Sequence, residues 1–497
     1  MKNLIIILSI LLPNLLFAQL VNDMKVNLDT NIYTTAKYYS SVSSNVKGNT
    51  VVTWEVNNGM GERKIFIQIF DSLFNRVGDN FSLNSISGYE GKPFVSVRKD
   101  GSFGIVWTGL SSNPYGSKIL LKIYNKNGIP ISSEIQLNEI IIGYDGNYSI
   151  CTDSLGRFIV TFDYAIPTSA RPNVYFQIVD SNGVKIGSNV KVNQYNSYGT
   201  PSIAVSNNGS FVIAWCGSPN VFPKTIYCQL YSRNGLQIGN NVQVNENGSD
   251  PIDDRSYPEA AFDSSGNFVV GFKEIPYSTV VARIKYQRFD SNGNKIGINK
   301  IINGNSYVYQ FSSDDEGNLI FLLSIDVSGS GMYNLRIDKN DNSIGSYFLA
   351  SNQLPNVVKG GTDVVMKNKK FINLWRDLRL SNHPQVFLNV RSYTNPDSVV
   401  FVHNISIEIP SSYSLSQNYP NPFNPKTKIS YSLAKSGITR LAVYDVLGRL
   451  VNVLVNEYKS AGEYTVEFNG SHLSSGVYIY RLESNDFVDT KRMMLIK

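Results

Sequence analysis

Histidine is nearly missing from this chain of 497 residues: His383, His403 and His472 are the whole supply. Chemistry that needs an imidazole base or a Cys/His zinc framework therefore has little to stand on. Cysteine is as scarce, and Cys151, Cys216 and Cys228 cannot supply a disulfide scaffold. Cys216 and Cys228 fall in neighbouring expected strands, where a disulfide is one reading; two small buried hydrophobes is the reading adopted. Charge is thin too, at 17% of residues, with 45 basic against 39 acidic side chains and a net charge of +6. No basic run occurs, which argues against nucleic-acid binding. After residue 18 no apolar stretch is long enough to cross a bilayer.

What is present begins with an exception at the start. Met1–Ala18 combines Lys2, the apolar "LIIILSILLPNLLF" and a small residue before Gln19, the pattern of a removable secretory signal peptide. Aromatics reach 12%, with 30 Tyr, a profile suited to β-sheets with polar surfaces. The chain also repeats itself. "VDSNGVKIGSNVKVN" ends at Asn193 and "YSRNGLQIGNNVQVN" at Asn245. One short line returns seven times, as "NTVVTW", "SFGIVW", "RFIVTF", "SFVIAW", "NFVVGF", "NLIFLL" and "KFINLW". Intervals of roughly 50–57 residues suit propeller blades better than helical solenoids.

Each unit holds four strand-sized pieces separated by Asn-Gly and Asp-x-x-Gly turns. In the second piece both alternating faces are apolar, so it is expected to be covered on both sides. Aromatic line ends such as Trp54, Trp107, Trp215 and Trp375 are expected in the core. Fourth strands should end near Asn84, Asn138, Asn193, Asn245, Asn303 and Asn352. The seventh unit lacks one, and "LVNDMKVNL" after the leader resembles an orphan fourth strand. The expected fold is all-β: a seven-bladed β-propeller over residues 19–395, closed by its N-terminal strand so that no sheet edge is left at the seam. A linker over 396–412 and a small antiparallel β-sandwich over 413–497 follow. The unit wording loosely resembles repeats in large bacterial surface proteins.

The last part carries a more specific resemblance. "YPNPFNPKTKISYSL", "LAVYDVLGRLVNVLV", "AGEYTVEFNG", "SSGVYIYRL" and "KRMMLIK" together resemble a type IX secretion sorting domain, the carboxy-terminal signal of many exported proteins of Bacteroidetes and their relatives. Its motif positions here are Pro420, Asn421, Pro422, Phe423, Asn424, Pro425, Gly448, Arg449, Gly476 and Lys497. The resemblance implies the type IX secretion machinery as a partner, passage across the outer membrane, and release or surface attachment. The alternating patterns independently describe a small sandwich, and the prolines hold the entry segment extended.

Candidate chemistry is sparse. A tyrosine stands at or just before the first strand in six units: Tyr39, Tyr89, Tyr144, Tyr198, Tyr257 and Tyr307. These could ring a channel mouth and offer flat faces to a glycan or protein partner, or pack inside the repeat's own core. Asp100, Asp153 and Asp263 fall in hairpin turns and read as turn residues. "DPIDDRS" reads as a solvated loop rather than a calcium site. No cofactor or metal is expected. The reading is a secreted binding protein, non-enzymatic, with a carboxylate-based glycan hydrolase or a purely structural adhesin spacer as alternatives.

Overall fold

A computed structural model describes residues 19–27, 36–57, 63–83, 91–112, 115–139, 146–164, 171–194, 196–218, 224–246, 252–276, 282–302, 306–325, 331–350, 362–367, 369–377, 385–392, 412–435, 437–459 and 462–496. The Met1–Ala18 leader, the segment 393–411, Tyr89, Tyr144 and Lys497 lie outside them. Every regular element among the described residues is a β-strand. The chain separates into two compact units, dividing between residues 402 and 403.

Among the described residues the first unit shows seven four-stranded sheets, each antiparallel. Six of them are consecutive meanders. The fourth runs Asn196–Val205, Phe211–Ser218, Thr225–Tyr231, Gln237–Gln243. In the seventh, Asp363–Lys367, Lys370–Asp377 and Gln385–Ser392 are joined by Gln19–Lys25 from the start of the chain. Val21 lies opposite Val390 and Met24 opposite Leu388. First strands of successive sheets adjoin one another, and that of the seventh, Asp363–Lys367, adjoins that of the first, Ala36–Ser44.

The recurring apolar line is the second strand of every sheet. Phe158–Tyr164 and Phe211–Ser218 are buried along their whole length, because each is covered by a neighbouring sheet on both faces. Trp54, Trp107, Phe162, Trp215, Phe272, Leu323 and Trp375 are all at most 1% exposed. Between the third and fourth sheets one cluster joins Phe176 and Ile178 to Phe211, Ile213 and Trp215. Between the seventh and first, another joins Leu374, Val386 and Leu388 to Val52, Trp54 and Phe70.

The repeated polar words have a structural use. The closing Asn of the fourth strand turns its Oδ1 back to accept a third-strand N–H. Asn138 accepts from Ile119, Asn193 from Val174 and Asn245 from Ile226, at 2.8–2.9 Å. Four residues earlier, Asn189 Nδ2 donates to Gln177 Oε1 at 2.8 Å and to Leu137 O of the preceding sheet at 3.0 Å. Asn241 and Asn299 bond Gln229 and Gln287 in the same way, and reach back to Val192 O and Val244 O. Each of these buried Gln Oε1 atoms thus finds a donor, and the third, fourth and fifth sheets are each tied to the one before. A buried amide left unpaired costs about 1–3 kcal/mol, which makes these side chains hard to replace.

The N-terminal strand follows the same rule. Asn27 Oδ1 accepts Val386 N–H at 3.1 Å, and Asp23 Oδ1 accepts from Asn389 Nδ2 at 3.0 Å. Arg76 of the first sheet donates to Val26 O and Lys25 O, both at 2.7 Å. Asn84, Asn303 and Asn352 lie outside the described residues.

Fourth strands are unequal, which the even wording of the repeat does not suggest. Those of the third to fifth sheets span seven or eight residues, while Phe81–Ser82, Ile135–Gln136 and Phe348–Leu349 span two. In the second sheet Pro130 follows the turn and has no N–H to offer a ladder.

The second unit is a pair of antiparallel sheets. Ser414–Leu415, Lys426–Leu433 and Gly462–Asn469 form one; Leu450–Lys459, Gly437–Tyr444, Gly476–Ser484 and Phe487–Leu495 form the other. They share a core of Ile429, Tyr431, Leu441, Val443, Phe468, Tyr480 and Leu482, as expected of a small sandwich.

Candidate functional site

In the first unit, the start of each first strand and the turn from second to third strand lie at the same end of a sheet. That end is built on bulges. Tyr39, Lys92, Thr200 and Tyr257 have positive φ, of 34, 51, 53 and 52°, at register breaks in four first strands. A bulge frees backbone groups from the ladder, and neighbouring sheets satisfy them. Glu55 Oε2 accepts Lys92 N–H at 3.0 Å, and Asp163 Oδ2 accepts Thr200 N–H at 2.9 Å. Tyr148 OH donates to Lys92 O at 2.6 Å, Tyr309 OH to Tyr257 O, and Cys216 Sγ to Arg255 O at 3.1 Å. Gly199, with φ of +78°, is forced: a Cβ there would sit 2.0 Å from Asp163 Oδ2.

The six sequence-selected tyrosines do not share one position in the repeat. Tyr39 and Tyr257 occupy the bulge itself and are 46% and 60% exposed. Tyr198 precedes its bulge by two residues and is half-buried. Tyr307 lies in the strand Ser306–Ser313, but its side chain is outside the described set, as are Tyr89 and Tyr144. The tyrosines that do serve the core, Tyr148 and Tyr309, lie opposite Phe162 and Leu323, the ends of their second-strand lines. Sequence reading passed over them; the signal was their alternation with Pro93, Pro201 and Pro258 at the same step.

Each described tyrosine of the six carries a cation on its ring. Lys92 Nζ stands 5.9 Å from the Tyr39 centroid and Lys273 Nζ 5.7 Å from that of Tyr257. Over Tyr198 lie the Arg171 guanidinium at 4.2 Å and Lys224 Nζ at 5.3 Å. Such pairs orient the cation and keep the ring face polarised. Phe94 adds another exposed ring, edge-on to Tyr148.

Carboxylates at this end are enclosed and engaged. Glu55 and Asp163 are 1% exposed and hold the bulges described above. Burial pushes the Asp163 carboxyl up, against the pull of its bonds from Asn147 and Thr200. Glu274, also 1% exposed, meets Arg255 at 3.0 Å, Arg283 at 2.7 Å and Lys285 at 2.8 Å. Burial opposes its ionisation, yet the bonds from Lys285, Arg283 and Arg255 hold its pKa below the usual value.

Two further acids come from first strands. Glu259 accepts Ser202 Oγ at 3.1 Å and also bonds Gln310; burial and the nearby Asp363 charge raise it to about 7. Asp363 accepts Ser41 Oγ at 3.2 Å and Val42 N–H at 2.9 Å, and burial raises it to about 6. Ser202, Glu259, Gln310, Asp363 and Ser41 belong to the fourth, fifth, sixth, seventh and first sheets. Asp100, Asp153 and Asp263 sit in hairpin turns, where each carboxylate accepts backbone N–H groups two or four residues on. A shallow depression of about 80 Å³ lies at the turn end between first and seventh sheets, beside Asn45, Ser72 and Lys370.

The remaining thiol and imidazole positions carry no assembled chemistry. Cys216 lies opposite Ile226 and Cys228 opposite Ala214, so the two are diagonal neighbours, and both are free thiols. That offset exceeds ordinary disulfide reach. Burial pushes the Cys228 thiol up to about 12. His472 is exposed in the second unit; His383 and His403 lie outside the described residues. Among the described residues no three His, Cys, Asp or Glu side chains gather as a metal site.

In the second unit the "YPNPFNP" segment laces the final strand to the sandwich. Phe423 is 2% exposed against Phe468; its N–H donates to Met494 O at 2.9 Å and its carbonyl accepts Ile496 N–H at 3.0 Å. Asn421 Oδ1 accepts Met494 N–H at 2.8 Å. Pro420, Pro422 and Asn424 are exposed, Pro425 partly so. Gly448, with φ of +78°, makes the turn in which Asp445 accepts N–H groups from Leu447 and Arg449 and pairs with the Arg449 side chain at 2.7 Å. Gly476 opens the strand Gly476–Ser484.

Residues 417–497 match the family model of the secretion system C-terminal sorting domain. No curated protein matches the chain. Among solved structures it is similar to a protein of unknown function from Dyadobacter fermentans (TM-score 0.47, 9% identity, 75% of this chain and 98% of that one). It is also similar to the α-L-arabinanase of Penicillium chrysogenum complexed with arabinobiose (TM-score 0.44, 10% identity, 75% and 98%). A third is the polysaccharide lyase Uly1 (TM-score 0.46, 9% identity, 75% and 93%). The sorting-domain match indicates type IX secretion to the cell surface or the extracellular space.

Proposed function

We propose that this is an exported cell-surface or extracellular binding protein. Residues 1–18 are its signal peptide, 19–395 a closed seven-bladed β-propeller, 396–412 a linker and 413–497 the type IX sorting domain. The propeller face at the bulged strand ends holds a glycan or protein partner. Seven four-stranded sheets, the Gln19–Lys25 seam and side chains from five first strands meeting at Glu259 and Asp363 support the ring. The observation that carries the binding role is the set of accessible rings, Tyr39, Tyr198 and Tyr257, each held under a cation at one end of the sheets. The nearby carboxylates are occupied in structure, which favours holding a ligand over cleaving one. Retention of the secreted protein on a panel of polysaccharides and extracellular proteins, with product release scored separately, tests this. Retention lost in Tyr257→Ala, without products, is the expected result; retention by no member of the panel overturns it in favour of a spacer.

The hydrolase reading keeps one specific support, the pair Glu259 and Asp363. Two partly buried carboxyl groups with raised pKa, near enough for the charge of Asp363 to raise Glu259, are a common acid–base arrangement. If they cleave a glycan, products appear with the unaltered protein and vanish in Glu259→Gln.

A further inference from the structure

Basic side chains recur at this end of the arc formed by the third, fourth and fifth sheets. Arg255, Arg283 and Lys285 all meet the single carboxylate of Glu274, leaving an excess of two positive charges around one buried acid. Their side chains are 4%, 30% and 15% exposed, so the guanidinium and ammonium groups are held in place rather than waving in solvent. Arg255 also donates to Lys224 O at 3.0 Å, which links this cluster to the Tyr198 ring and the Arg171 guanidinium beyond it. On the other side Lys273 lies opposite Ser256 in register and reaches over Tyr257, the most exposed of the described tyrosine rings in this arc. Three cations held around one carboxylate repel one another, and a bound anion would relieve that repulsion.

Resting on the binding role above, the geometry points to an acidic polysaccharide as the ligand of this arc, its carboxylate or sulfate groups meeting Lys224, Lys273 and the Glu274-bound cations while sugar faces lie on Tyr198 and Tyr257. Flat aromatic rings take the C–H face of a sugar, and fixed cations pair with its anionic substituents through charge-assisted hydrogen bonds. A nucleic acid is the less fitting polyanion, since a net charge of +6 spread over 497 residues gives little of the broad basic field such binders carry.

The test uses the full secreted chain and four immobilised probes at low salt: polygalacturonate, dextran sulfate, neutral dextran and single-stranded DNA. Retention on polygalacturonate, dextran sulfate or both, at least tenfold above dextran and DNA, supports the inference and separates carboxylate from sulfate preference. Lys224→Gln and Lys273→Gln should each weaken it about fivefold, the size of one partly exposed charge-assisted contact, with circular dichroism unchanged. Equal retention on neutral dextran that Tyr257→Ala abolishes leaves the glycan-binding role standing and overturns the acidic ligand. Preference for DNA overturns it too, as does full acidic-glycan retention by both Lys→Gln variants. Retention of none of the four overturns this inference alone if a protein partner is captured, and the binding role as well if nothing is.

Discussion

The two units solve the same problem, burying the faces of β-sheets, in opposite ways. In the first, every sheet leans on two neighbours, so the core is distributed among clusters such as Phe211–Trp215 with Phe176 and Leu374–Leu388 with Trp54. In the second, two sheets share one core, from Leu415 to Leu495. A distributed core needs the same side chains again and again, hence the repeated aromatic line and the Gln–Asn clasp. A single core needs each lock once, which is why "YPNPFNP" occurs once and secures one strand. Repetition in this sequence therefore records mechanics, and the variable residues between the repeats are where binding is free to diverge.

The largest expected effect sharpens that contrast. Trp215→Ala and Phe423→Ala should each cost about 3–5 kcal/mol, as large-to-small changes at fully packed aromatics do. Chemical denaturation followed by tryptophan fluorescence should show Trp215→Ala lowering the transition of the first unit. Phe423→Ala should move only a transition of the second unit, followed by the exchange protection of its strand amides. A single common shift in both variants would mean the two cores unfold as one.

The seam comes next. Asn27→Ala removes the acceptor for Val386 N–H and should cost about 1–3 kcal/mol, the penalty of an unpaired buried amide. Deleting residues 19–27 should do more than weaken the fold: Gln385–Ser392 would become an open edge, and light scattering should report self-association. Asn245→Ala, at an interior copy of the same clasp, should destabilise without association. If the two behave alike, the N-terminal strand is not a special closure.

The smallest effect is a pH dependence. Glu259 and Asp363 titrate at about 7 and about 6 in the folded chain, above their ordinary values of 4.5 and 3.8. Between those limits the folded state holds protons the unfolded chain has released, so their contribution to stability falls as pH rises from about 4 to about 7 and is greatest below it. Glu259→Gln should flatten the change in urea midpoint across that window and raise the midpoint at pH 7.5. An unchanged slope would place the carboxylate in open water.

Much of this was legible beforehand, for identifiable reasons. Second strands could be read because burial on both faces demands unbroken apolar residues, and the orphan strand because Asp23 and Asn27 keep the four-residue spacing of Asn189 and Asn193. The function of those Asn side chains was hidden, since an amide in a strand looks the same whether it faces water or a buried Gln. Glu55 and Asp163 were missed for a similar reason: nothing in their own neighbourhoods marks a carboxylate whose partner lies in another sheet, and Glu274 was missed because its partners lie on the two flanking strands.

Composition, period and alternation by themselves determined an all-β chain with a repeated first part, a distinct carboxy-terminal module and a turn role for Asp100, Asp153 and Asp263. These are local properties, written in residues that are neighbours along the chain. Only the tertiary structure decided that the tyrosines occupy unequal positions, that cations lie on their rings, and that Glu274 is shared by three others, Arg255, Arg283 and Lys285. Those relations join residues through space, across bulges and between sheets, and side-chain periodicity carries no record of which strand will lie alongside which.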